Sequence, residues 1–168
     1  MNISATRGWF AQLRSGEPHQ VIGPPATPYL MRWYLLPRNP FINVYLHRFC
    51  SSDPSAPHDH PWHFLSIVLS GRYREIGERR TLIRKPGSVA IRRASSRHQV
   101  ELLGGPVTTV IVTGPRHRAW GFWCPQPLRC AHFVPWQEFG LRGCGEPTGT
   151  AALTDTHVRQ PQVTLRSP

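Results

Sequence analysis

Pro57-His58-Asp59-His60-Pro61-Trp62-His63, followed without a break by the apolar run Phe64-Leu65-Ser66-Ile67-Val68-Leu69, is the stretch on which the reading of this chain turns. In an extended segment residues i and i+2 project to the same face, so His58 and His60 present their imidazoles together while Asp59 points away. The same parity places Trp62, Phe64 and Ser66 on the histidine side and turns His63 to the other face, where a surface or hydrogen-bonding role is expected. A third imidazole is available at His98, which opens another short strand after the polar segment Arg92–Arg97. Three neutral imidazoles make an open site that leaves positions on a metal for water or substrate. The other reading of the pair is two polar loop residues beside a buried tryptophan.

Outward from this stretch the chain is punctuated by 18 prolines and 14 glycines, which leave little room for a long helix except near the N-terminus. Short runs rich in β-branched and aromatic residues predict strands at Asn43–Phe49, Phe64–Leu69, Arg72–Ile76, Thr81–Arg84, Ser88–Arg92, His98–Leu102, Thr108–Val112 and Gly121–Cys124. Turn signals at Ser70–Gly71, Pro86–Gly87 and Gly104–Gly105–Pro106 separate them at hairpin intervals. The pattern predicts an all-β sandwich or barrel. Tyr29–Leu36 reads as a strand or an aromatic-rich cover, Trp136–Leu141 as one helical turn, and Gly145–Pro168 as polar sequence outside the core.

With 168 residues, 39% of them hydrophobic, the chain suits one domain with polar extensions. No stretch approaches the ~20 consecutive apolar residues of a membrane span, and Met1–Gly16 lacks the apolar segment of a secretory signal, so a soluble cytoplasmic protein is expected. The net charge is +11, and Lys85 is the sole lysine among 20 basic residues. Arginine's planar fork suits carboxylate, phosphate or sulfonate, which points to a small anionic partner. The arginines are scattered, with short pairs at Arg79–Arg80 and Arg92–Arg93, and this argues against a nucleic-acid interface. Cys50, Cys124, Cys130 and Cys144 are expected to be free thiols, because a chain of this length builds a core without staples. A zinc site from Cys124, Cys130, His132 and Cys144 is disfavoured by the absence of a close C-x2-C pair.

In these histidines and glycines the sequence resembles the cupin superfamily, whose motifs are G-x5-H-x-H-x3-4-E-x6-G and G-x5-P-x-G-x2-H-x3-N. His58-x-His60 matches the paired ligands and Gly71 the closing glycine, while Gly87 stands eleven positions before His98, as in the second motif. Ser52 replaces the opening glycine, Phe64 or Leu65 the glutamate, and Arg93, Ser95 and Leu102 the second motif's proline, glycine and asparagine. The chain also resembles small bacterial and phage cupins of unassigned function, in Tyr45-Leu46-His47-Arg48-Phe49, His58-Asp59-His60-Pro61-Trp62, Thr113-Gly114-Pro115-Arg116, Trp120-Gly121-Phe122 and Val134-Pro135-Trp136.

The resemblance implies a single cupin barrel, a jelly-roll-like double-stranded β-helix, over residues 40–125. Residues 1–39 would form an N-terminal extension and cover, and 126–168 a partly flexible C-terminal extension. It implies a divalent metal on His58, His60 and His98. Without the glutamate the site is more cationic, in the manner of thiol dioxygenases that hold ferrous iron on three histidines. Fe(II) is therefore the favoured ion, with zinc, nickel or manganese as alternatives. The implied activity is oxygen-dependent oxidation of a small anionic substrate; a non-catalytic ligand-binding cupin and a metal-dependent isomerase or lyase are the alternatives. Arg48, Arg93 and Arg97, on or beside barrel strands, are the candidate cations for the substrate. Trp62 and Phe64, with Trp120 and Phe122, are candidate apolar walls. Glu101 is expected to face outward, so no protein general base is evident, although Tyr45 or Tyr73 can assist. Exposed barrel edges predict a homodimer.

Overall fold

The computed structural model describes residues 8–126 and 129–139, with side chains described for all of these except 125, 126, 129 and 130. One helix, α1 (Trp9–Ser15), precedes eleven strands among the described residues. They are β1 (Gln20–Ile22), β2 (Leu30–Tyr34), β3 (Asn43–Phe49), β4 (Phe64–Ser70), β5 (Tyr73–Gly77) and β6 (Thr81–Arg84). β7 (Val89–Arg92), β8 (His98–Leu102), β9 (Val107–Thr113), β10 (Gly121–Gln126) and β11 (Arg129–Pro135) complete the order. No helix among the described residues is long and apolar enough to cross a membrane.

All pairings are antiparallel, and the order β1-β2-β3-β9-β4-β7 makes one sheet. A second runs β6-β5-β8, and β10 pairs with β11. Pro57–His60 fills the place beside β8: His58 N–H donates to the His98 carbonyl at 2.9 Å and His98 N–H to the His58 carbonyl at 3.0 Å. Two four-membered layers result, β3-β9-β4-β7 and 57–60/β8/β5/β6. This interleaved order is that of a jelly roll, the double-stranded β-helix.

Alternation explains why these residues form these strands. β9 buries Val107, Thr109, Ile111 and Thr113 and half-buries the residues between them, while β3 buries Asn43, Tyr45 and His47. Register then stacks interior residues in rows across the sheet, such as Tyr34, Tyr45, Ile111, Ser66 and Ala90. One end of the barrel is packed with Val68, Tyr73, Val100 and Val107, and the other with Tyr45, Phe64 and Ile111 against Tyr34 and Trp62. Each such side chain contributes about 1.5–3 kcal/mol by leaving water. The β4–β5 turn demands Gly71: its φ is +75°, and a Cβ there would lie 2.5 Å from the Pro106 carbonyl oxygen.

Within the segment Tyr29–Leu36, Leu30–Tyr34 form the strand β2, which joins the main sheet and carries β1 on its outer edge. Two further strands lie where none was expected, β1 and β11; both owe their pairing to a neighbour rather than to a strong pattern of their own. Residues 136–139 form a turn, and the remainder of the expected helical turn lies outside the described residues, as does Gly145–Pro168. The expectation of free thiols is corrected: Cys50 is free, but Cys124 is disulfide-bonded. Cys124 is fully buried and packs with Ala56 and Val134 beside the β10–β11 hairpin. A thiolate ligand at Cys124 is thereby removed; Cys130 and Cys144 fall outside the described side chains.

Candidate functional site

Backbone pairing on both sides holds Pro57–His60 extended. Besides the His58–His98 exchange, Asp59 N–H donates to the Gly121 carbonyl (3.1 Å), His60 N–H to Ala94 (3.0 Å) and Trp123 N–H to Pro57 (2.7 Å). Asp59 points to the opposite side, as its parity requires, and is fully buried. It accepts from Arg118 Nη1 at 2.8 Å, Gly121 N–H at 3.0 Å and Trp123 Nε1 at 3.2 Å. That carboxylate ties β10 to the segment bearing the two histidines.

His58, His60 and His98 converge, each offering a ring nitrogen within 4.8 Å of the others. His60 Nε2 and His98 Nε2 are 2.9 Å apart. Two nitrogen lone pairs at that distance repel unless a proton or a cation lies between them. Imidazoles ~2.1 Å from one ion and at right angles to it would place their nitrogens about 3 Å apart. Burial holds His58 down at about 4, and burial together with His58 and His98 holds His60 well below its ordinary value, so both are neutral at pH 7 and present lone pairs. His58 Nδ1 is buried without a hydrogen bond, 3.5 Å from Asp53 Oδ2. Two neutral imidazoles with a third converging on them suit a divalent cation.

The residue that sequence reasoning missed is Glu75. It is 4% exposed on the inward face of β5 and accepts a hydrogen bond from His98 Nδ1 at 3.0 Å. Arg84 Nε (2.7 Å) and Arg92 Nε (2.8 Å) and Nη2 (2.5 Å) also donate to it. Burial raises its pKa, but the hydrogen bonds from His98, Arg92 and Arg84 outweigh burial and hold the carboxyl well below the carboxylate range. A carboxylate on the outer nitrogen of a histidine fixes the tautomer that aims Nε2 at the site. The alternation of Tyr73 and Glu75 within the expected strand was the signal that could have found it.

Phe64 packs on the cluster, with its ring 4.5 Å from that of His60 and 6.2 Å from that of His98. Phe122 and Trp120 stand 5.8 and 6.3 Å from His58, and Trp120 stacks on Trp136. Trp62 packs behind Phe64 in the Tyr45–Ile111 cluster. The three candidate arginines lie elsewhere. Arg48 is exposed on the face of β3 opposite buried His47, and Arg93 is exposed in the turn before β8. Arg97 lies over the Trp123 ring at 3.3 Å, with its Nε 3.3 Å from Glu78. His63 is exposed and accepts from Ala94 N–H at 3.1 Å, and Glu101 faces outward, paired with Arg74 at 2.6 Å.

A cation of the barrel wall that no carboxylate among the described residues meets is Arg32 of β2. Its Nε donates to His47 Nε2 at 2.7 Å and its Nη1 to Gln20 Oε1 at 2.9 Å, and the guanidinium carbon lies 5.1 Å from the centre of the Tyr45 ring. Burial, seconded by Arg32, keeps His47 well below its ordinary pKa, and Arg32 and His47 both act on His60. Burial raises Tyr45 and pushes Tyr73 up to about 12, so both phenols stay protonated at neutral pH.

No protein-family model and no curated protein matches the sequence. Solved structures do. An uncharacterized conserved protein with a double-stranded β-helix domain from Klebsiella pneumoniae is 19% identical (TM-score 0.48), covering 71% of this chain and 96% of that one. A cupin 2 conserved barrel domain protein from Leptotrichia buccalis is 21% identical (TM-score 0.44), covering 51% of this chain and 40% of its own. The DMSP lyase DddQ from Ruegeria pomeroyi is 13% identical (TM-score 0.49) over 59% of this chain, which spans 54% of the lyase's length. By its own strand order and the convergence of its histidines, this chain is a double-stranded β-helix with a three-histidine cluster inside its barrel.

Proposed function

We propose that the protein is a metal-dependent cupin enzyme that binds a divalent ion through His58, His60 and His98 and acts on a small anionic substrate, with Fe(II)-dependent oxygenation as the leading reaction. The observation that carries the metal is the meeting of two imidazole nitrogens at 2.9 Å, one of them aimed by a buried carboxylate. Such an ion supplies Lewis acidity and, as ferrous iron, one-electron chemistry with dioxygen. The chain's own residues do the rest. Glu75 holds the proton on His98 Nδ1 and so keeps Nε2 free for ligation. Phe64, Phe122 and Trp120 exclude bulk water, which strengthens every charge interaction inside the barrel. The uncompensated charge of Arg32 favours an anion. The proposal includes a homodimer built on the open edge of β7, where Val89 is 53% and Ile91 75% exposed; sedimentation velocity with and without Ile91→Lys checks it.

The test is oxygen uptake by protein reconstituted with Fe(II) under anaerobic conditions and then offered small thiols and organic acids in air. Uptake that depends on protein, iron and one substrate class, and is lost in His98→Ala, supports oxygenation. Turnover of such a substrate with iron in strict anaerobiosis would instead support a lyase or isomerase.

A further inference from the structure

The barrel interior carries a polar row that the metal cluster does not use. Register places Gln20 opposite Arg32, Arg32 opposite His47 and His47 opposite Thr109, so four strands in succession, β1, β2, β3 and β9, turn a polar side chain to one line. The next residue, Val68 of β4, is apolar, as are Leu30 and Val107 in the flanking row. A barrel interior has no reason to bury such a row for stability, since each polar group loses hydration.

Two groups on this row are unfinished. Arg32 has five N–H donors, and its partners Gln20 and His47 are both neutral, so its charge is balanced by nothing described. Thr109 is 2% exposed, and its hydroxyl is buried without a hydrogen-bond partner. A half-buried guanidinium with spare donors and a buried hydroxyl free to donate call for a group that only accepts. A carboxylate has that character, and its two oxygens match the guanidinium fork. The row and the metal cluster share one interior: Tyr45 stacks on His47 at 5.7 Å and packs with Phe64, whose ring meets His60.

We propose that Arg32 and Thr109, with Gln20 and His47 orienting the guanidinium, form the receptor for a carboxylate of the substrate, so that a small organic acid is anchored by its carboxylate while its other end faces the three histidines. The assignment rests on the metal-enzyme reading and adds the substrate class and the residues that select it. Arg32 and Thr109 touch the ligand; His47 is a positioning residue, because it accepts a hydrogen bond from Arg32 Nε–H and fixes the plane of the fork.

The experiment uses the full chain after treatment with a chelator, so that it reports the receptor alone. Acetate, methylphosphonate and neutral acetamide are titrated in turn while the backbone amides of His47 and Thr109 and the Arg32 Nε–H are followed by nitrogen-15 NMR. Acetate is expected to give a saturable shift and acetamide none. Arg32→Lys should weaken acetate at least tenfold and the isosteric Thr109→Val at least threefold, with spectra otherwise of a folded barrel. Equal affinity for acetate in wild type and Thr109→Val, tighter binding of methylphosphonate, or shifts with acetamide would each overturn the assignment. Its failure leaves the metal cluster untouched, whereas failure of metal binding would be seen with acetate binding intact.

Discussion

His98 Nδ1 lies 3.0 Å from Glu75 Oε1, and on the other side of the same ring Nε2 lies 2.9 Å from His60 Nε2. One imidazole thus joins a buried carboxylate to the histidine cluster, and the carboxylate in turn is clamped by Arg84 and Arg92. Geometry at the site therefore depends on a residue that never reaches it.

Glu75→Gln should show this. The change keeps the shape but leaves two largely buried guanidinium groups without their counter-charge, a loss of about 3 kcal/mol or more. It also removes the acceptor that fixes the His98 tautomer, so metal affinity should fall ~10–100-fold. Urea unfolding and metal titration measure the two effects separately; unchanged metal affinity would sever Glu75 from the site.

Stability of the metal-free protein should decline as the solution is acidified. His58 titrates near 6.5 when unfolded and at about 4 when folded, and His47 and His60 are lowered in the same direction. Between those values the unfolded chain binds more protons than the folded one, so stability is full above about pH 6.5 and is lost as pH falls toward 4. The His58 contribution is at most about 3 kcal/mol. Denaturation midpoints from pH 7.5 to 4.5 check the slope; a flat profile would contradict it.

Asp59→Asn tests the tie between the histidine segment and β10. Asparagine cannot balance Arg118 or satisfy all three donors, so a loss of about 2 kcal/mol is expected, with faster amide exchange at Gly121 and Trp123. The barrel strands β3, β9 and β4 should exchange as before.

Much of the fold was legible because alternation and glycine turns act locally. Asn43–Phe49, Thr81–Arg84 and His98–Leu102 are strands at the residues read from sequence, and Gly71 stands where its φ requires. The convergence of His58, His60 and His98 was legible from parity and spacing. Glu75 was not singled out, although its strand was expected, because an inward charge is intelligible only once Arg84 and Arg92 are seen to meet it. Arg32 was hidden for a different reason: β2 carries no alternation, and only its register against His47 reveals that it turns inward. Arg48 shows the converse, since one residue along β3 from His47 the side chain faces solvent.

The central claim is that three histidines hold one divalent ion. Protein purified without a metal-affinity tag, reconstituted anaerobically with Fe(II) and desalted, can be assayed by elemental mass spectrometry beside His58→Ala, His60→Ala and His98→Ala. The account predicts close to one ion per chain in the wild type and a loss of at least tenfold in each variant, with circular dichroism confirming the barrel. No bound ion in the wild type, or full occupancy in any one variant, would contradict it.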